Sequence, residues 1–155
     1  MEQIRRFEQQ NIKITGIPGI DRQHSDLIFM LDAFLEALKK DDLSDDDIYS
    51  SFEEITACLK SHFATEEGLI EMVGYSKITD HKAQHREYIT IFLRELKSLK
   101  NKDKEKIALF IKAFRETIML HISVTDTEYV NFIDNLVATK KKFCINASIS
   151  QTIAG

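Results

Sequence analysis

Apolar residues recur every three or four positions along most of this chain, and the stripes they draw predict four helices. The first stripe takes Ile20, Leu27, Leu31, Phe34 and Leu38, passes through His24, and ends near Lys39–Lys40. Ahead of it, "GIPG" is a turn signal that sets off an extended N-terminal arm within residues 1–19. "DDLSDDD" reads as a solvated linker, whose Ser44 or Asp45 would cap the next helix. The second stripe holds Ile48, Phe52, Ile55, Leu59, Phe63 and Ile70, with His62 and Glu66 on or beside it, and should stop at Gly74 in "VGY". A third, from about Ile78 to Leu99, aligns Ile78, His81, His85, Tyr88, Phe92 and Leu96. After "KNKDKEK" the fourth, from about Asp103 to Val137, turns Ile107, Phe110, Phe114, Ile118, His121, Phe132 and Leu136 inward.

Four such helices with short connections predict an all-α protein, an up-down-up-down antiparallel four-helix bundle with an N-terminal arm and a C-terminal tail. The segment "TKKKFCINASISQTIAG" loses the helical period partway, so it reads as a frayed end, a docking segment or the start of a linker. The domain is accordingly placed at residues 1–138 and the tail at 139–155.

Composition narrows the class. A chain of 155 residues, 43% hydrophobic and 30% charged, is long enough for one domain with a real core. One proline and five glycines leave little to interrupt long helices. A net charge of −4 and a pI near 5.7 argue against a nucleic-acid surface, which would be basic. No apolar run approaches the roughly 20 residues needed to cross a bilayer, so membrane insertion is not expected. "MEQIRRFEQQ" lacks the apolar centre of a signal peptide, which makes the cytoplasm the expected location. Cys58 and Cys144 form no CxxC pattern and read as reduced thiols rather than a disulfide.

The candidate chemistry lies in the histidines. "DHKAQH" places His81 and His85 four positions apart, a spacing that alone decides nothing. The whole set, His24, His62, His81, His85 and His121, is spread one, one, two and one over the four helices, each on the apolar stripe. A single inward histidine is ordinarily a core residue bonded to a carbonyl. Five without a shared partner would leave many donors and acceptors unpaired, at about 1–3 kcal/mol each. A common metal centre removes that cost.

Two carboxylates accompany them. Glu66 follows His62 by four residues and projects from the same side. Asp126 follows His121 by five, about 140° round a regular helix. A π-type widening near Val124–Thr125 is therefore expected, unless Asp126 approaches from the side. Five imidazoles and two carboxylates exceed one tetrahedral zinc. With both carboxylates and one oxo or hydroxo group bridging two metals, one ion has six ligands and the other five, leaving one open position. Imidazole with carboxylate suits several transition metals, and oxygen-bridged di-iron fits this count best.

The pieces "GIDRQH" ending at His24, "HFATEE" from His62, "HKAQH" from His81 and "HISVTD" ending at Asp126 give the chain a close resemblance to the hemerythrin family, specifically its bacterial members, over roughly residues 7–137. The resemblance implies two iron ions (Fe2+/Fe3+) with a bridging oxo or hydroxo group. It puts His81, His85 and His121 on one iron, His24 and His62 on the other, and makes Glu66 and Asp126 bridges. It implies reversible dioxygen binding at the open position, for storage, delivery or scavenging, and no enzymatic activity. The alternative is an oxygen- or redox-sensing input domain that signals through the tail after Ala138. A signalling domain or an oxygen-using enzyme would then be its partner.

The sequence departs from the family pattern at Phe7 and Thr117, where Trp is usual, at Ile70 for a common Met, and at Tyr75–Ser76 for Tyr-Pro. These positions bear on the pocket rather than on the ligands. Glu67, about 100° from Glu66 on the helix, reads as a surface charge or a partner of a ligand. Phe29, Phe63, Phe92 and Phe114 read as core aromatics, Cys58 as a small buried residue, and Lys140–Lys142 as charges suited to a helix C-terminus.

Overall fold

The computed structural model describes residues 12–98 and 103–153, with side chains as far as Lys141. Phe7, Leu99 and the side chains of Lys142 and Cys144 lie outside the described residues. Four helices follow in order, α1 (Pro18–Ala37), α2 (Asp45–Met72), α3 (Ile78–Lys97) and α4 (Lys104–Ile153), with no strand among the described residues. Helix α1 packs on α2 and α4, and α2 packs on α3. Rings of α3 and α4 close the bundle, Phe92 lying 4.8 Å from Phe114. The expected all-α four-helix bundle is the fold observed.

Local chemistry sets the helix ends. Pro18 opens α1, where its missing N–H costs nothing. No side chain caps Ile17. Instead the arm is tied down by Asp21, whose buried carboxylate accepts from Thr15 N and Thr15 Oγ1, both at 2.7 Å, and from Gly16 N at 3.1 Å. Gly16 takes a φ of 81°, which glycine adopts without strain. Ser44 begins α2 with a reciprocal capping box: its Oγ accepts from Asp47 N, and Asp47 Oδ2 accepts from Ser44 N, each at 3.1 Å. Gly74, at φ 72°, ends that helical run, and Tyr75 N donates back to Ile70 O at 3.0 Å.

Helix α4 runs past its expected end near Val137. Its backbone passes the expected 138/139 boundary without a break and stays helical to Ile153. Between Val137 and Gly155 the sequence has neither proline nor glycine, so no residue there forces a stop.

Two apolar clusters sandwich a polar layer. The larger gathers Leu27, Ile28, Leu31, Phe52, Leu59, Phe92, Ile111 and Ile118, all at or below 1% exposure. The smaller, around Ile70, Tyr75 and Tyr129, lies toward the other end. His24, His62, Glu66, His81, His85, His121 and Asp126 fall between these clusters along their helices. Phe29 is a correction: it is 49% exposed, because one step of about 100° past buried Ile28 carries it off the core face.

Candidate metal centre

Every helix contributes to the polar layer: His24 from α1, His62 and Glu66 from α2, His81 and His85 from α3, His121 and Asp126 from α4. None of the seven exceeds 2% exposure. Helical spacing explains the pairs, since residues four apart stand one above the other on a single face. The structure thus brings together all seven residues singled out from the sequence.

Each carboxylate touches both halves of the cluster. Glu66 Oε2 lies 3.2 Å from His81 Nε2, 3.2 Å from His85 Nε2 and 4.0 Å from His62 Nε2. Asp126 Oδ1 is 3.0 Å from His121 Nε2 and 3.6 Å from His81 Nε2, while Oδ2 is 3.3 Å from His24 Nε2. Two groups of potential ligand atoms result, Glu66/His81/His85/His121 and His24/His62/Glu66, each within 4.8 Å and sharing Glu66.

The expected π-type irregularity is absent: α4 is regular α-helix through residues 121–126, and Asp126 is nonetheless fully buried. Asp126 comes in from the side, and the length of the His121 imidazole closes the angular gap.

The electrostatics are those of two ionised carboxylates in an apolar layer. Burial pushes Glu66 upward, but His81 and His85 outweigh it and hold its carboxyl well below the usual range. Burial likewise raises Asp126, and its contacts with His121 and His24 lower it further than burial raises it. Burial, reinforced by His24, lowers His62 to about 4, so that imidazole is neutral at ordinary pH. His81 moves the other way: burial lowers it, and the Glu66 carboxylate more than restores it.

The donor set fits a cation at its centre. His85 Nδ1 lies 2.9 Å from Glu67 Oε1, and a carboxylate can only accept, so Nδ1 carries the proton. His85 Nε2 then faces inward, 3.2 Å from Glu66 Oε2 and 3.1 Å from His121 Nε2, so a carboxylate oxygen and two ring nitrogens converge on one point. Acceptor atoms converging at that distance need protons or a metal between them. Glu66 Oε1, Asp126 Oδ1 and Oδ2 and His24 Nε2 are buried without a hydrogen-bond partner among the described residues, and a cation in the layer would satisfy them. Imidazole nitrogen and carboxylate oxygen together suit a first-row transition metal.

Aromatic rings wall the cluster. Phe63 stacks on His85 with centroids 3.8 Å apart, Tyr88 meets His121 edge-on at 5.2 Å, and Tyr129 meets His81 edge-on at 5.7 Å. Tyr129 was not picked out from the sequence, although it lies three residues after Asp126 on the same face. Burial, the largest influence, drives its phenol strongly upward, so it keeps its proton.

A helical bundle that buries histidines and carboxylates from all four helices defines a metal-binding domain of the four-helix class. Residues 15–133 match the family model described as the hemerythrin HHE cation binding domain, and the chain belongs to the hemerythrin family. It is 27% identical over 122 residues to a bacteriohemerythrin of Clostridium acetobutylicum, covering 75% of this chain and 92% of that protein. The family resemblance carried by the four histidine motifs is therefore borne out.

Proposed function

We propose that the chain binds dioxygen reversibly at a non-heme di-iron centre. In this reading His81, His85 and His121 hold one iron, and His24 and His62 hold the other. Glu66 and Asp126 bridge them, together with an oxo or hydroxo group. A pair of irons held there would supply the electrons that dioxygen takes up on binding and returns on release.

The chain's own residues make the reaction stop at binding. With three imidazoles for one ion and two for the other, the open position would lie beside His24 and His62. The apolar clusters above and below the layer keep water from the site. Tyr129, whose ring meets His81 edge-on at 5.7 Å, adds to this wall. An oxygen binder, rather than an enzyme, is what this set of residues supports.

The observation that carries the proposal is the sharing of Glu66 between two buried ligand groups. Iron analysis of purified protein tests it: two irons per chain are expected, and the reduced form should gain a charge-transfer band in air. One iron per chain, or none, would end the reading.

A sensing role is the second reading, favoured by α4. That helix carries both His121 and Asp126 and runs unbroken to Ile153, so a shift at the centre would travel along one rod. A signalling domain would then be the partner. A long-lived oxygenated form favours storage or delivery, with an oxygen-using enzyme as the partner, whereas rapid autoxidation favours sensing. No helix among the described residues is long and apolar enough to cross a membrane, and the cytoplasm remains the proposed location.

A further inference from the structure

We propose that Glu67 is a positioning residue for His85, fixing the tautomer of that imidazole and strengthening it as a donor to the iron it would hold; the second half of this inference rests on the di-iron reading. Glu67 Oε1 lies 2.9 Å from His85 Nδ1, which fixes the proton on the outer nitrogen and leaves Nε2 free to face inward. Phe63, stacked on the ring at an interplanar angle of 11°, keeps the imidazole from turning away from this partner.

No other imidazole of the cluster is treated this way. His62 Nδ1 meets only the neutral amide oxygen of Gln23, at 3.4 Å. His81, His121 and His24 have no hydrogen-bond partner for Nδ1 among the described residues. The two metal positions are therefore unequal: the one served by His85 feels a negative charge through the imidazole, and the one served by His24 and His62 does not. An anionic acceptor makes the imidazole more basic and favours the higher oxidation state of the metal it holds.

Glu67 also reaches solvent. Its side chain is 26% exposed and lines a cavity of about 370 Å³ between α2 and α3, with Lys60, Arg86 and Ile89 around it. It thus joins a buried ligand to solvent.

Three variants test the proposal. Glu67→Gln keeps an acceptor oxygen but loses the charge, and Glu67→Ala loses both. Glu71→Gln removes the same charge one turn on, from a carboxylate that pairs with Lys82 at 2.9 Å. In metal-free protein, nitrogen NMR of the imidazoles should show His85 as the Nδ1–H tautomer in the parent and in Glu67→Gln. A mixture of tautomers is expected in Glu67→Ala. In iron-loaded protein, Glu67→Ala should release iron to a chelator about 10–100-fold faster. The reduction potential should rise in both Glu67 variants and stay put in Glu71→Gln.

Parent-like tautomer, release and potential in Glu67→Ala would overturn the proposal, and so would an equal potential shift in Glu71→Gln. A parent protein that takes up no iron would instead overturn the di-iron reading and with it the role toward iron, while the tautomer measurement still decides the link between Glu67 and His85.

Discussion

His24 of α1 and Asp126 of α4 meet at 3.3 Å, with both side chains fully buried. This contact ties the first helix to the last through the layer that the metal would occupy. On the proposed di-iron reading, the charge of the layer rather than its shape would govern metal retention. Asp126→Asn keeps the shape and removes the charge. Iron content should fall well below two per chain, with far-UV circular dichroism unchanged. Full iron occupancy in this variant would refute the bridging role of Asp126.

Stability should follow the same charge. A ligand that binds only the folded state adds about 4 kcal/mol at a thousandfold excess over its Kd. The melting temperature of the parent should therefore rise on iron loading and fall back with a chelator. Glu66→Gln removes a carboxylate common to both ligand groups. Its melting temperature should be insensitive to iron, and calorimetry with and without metal makes the comparison. A parent-sized rise in the variant would show that Glu66 is not shared by two ions.

The stripes revealed the helices and the seven clustered residues because the 3.6-residue period alone determines which positions share a face. His24, His62, His81, His85 and His121 stood out because polar groups on apolar stripes are costly. What the period cannot give is how two helices cross. The meeting of Glu67 with His85 depends on the approach of α2 to α3, and one helical wheel shows only that Glu67 leaves the stripe. The π-type widening expected beside Asp126 is not needed for a related reason: the wheel measures angles between backbone positions, whereas a contact is made by side-chain length. The continuation of α4 to Ile153 escaped notice because apolar periodicity reports burial, and a helix that buries no regular face need not show it.

Phe52 and Phe29 give a direct test of the core. Phe52 is fully buried between Phe34 at 5.4 Å and Phe92 at 4.9 Å. Phe52→Ala should cost about 3–5 kcal/mol through the cavity it leaves. Phe29→Ala, at a half-exposed position, should cost a small fraction of that. Urea unfolding of the two variants side by side measures the difference, and equal losses would contradict the placement of Phe29 outside the core.

The start of α2 offers a pH test away from the metal layer. The Ser44 side chain, with help from its backbone N–H, holds the Asp47 carboxyl below its usual value. A carboxyl whose folded value is depressed contributes stability above its unfolded value, and that contribution is lost as pH falls through the folded one. Ser44→Ala breaks the capping box and should destabilise the protein by about 1 kcal/mol near neutral pH. The gap between parent and variant should narrow as pH falls from about 4 downward, where Asp47 becomes protonated in both. Denaturant midpoints of metal-free protein, taken from pH 7 to pH 3, would reveal it. A constant gap would mean that the Ser44 hydroxyl acts without the Asp47 charge.

The long α4 allows the domain boundary to be tested by truncation. Tyr129 is the last fully buried side chain described, and the partly buried Phe132, Ile133 and Leu136 complete the inward face. Ala138, Thr139, Lys140 and Lys141 are all exposed, so the helix there adds no core. A chain ending at Ala138 should keep the parent's iron content and lose little stability. If the tail serves only as the rod of a sensor, the shortened chain should also keep the parent's oxygenated lifetime. Loss of iron on truncation would mean instead that residues 139–155 belong to the bundle, and that the domain extends along the whole of α4.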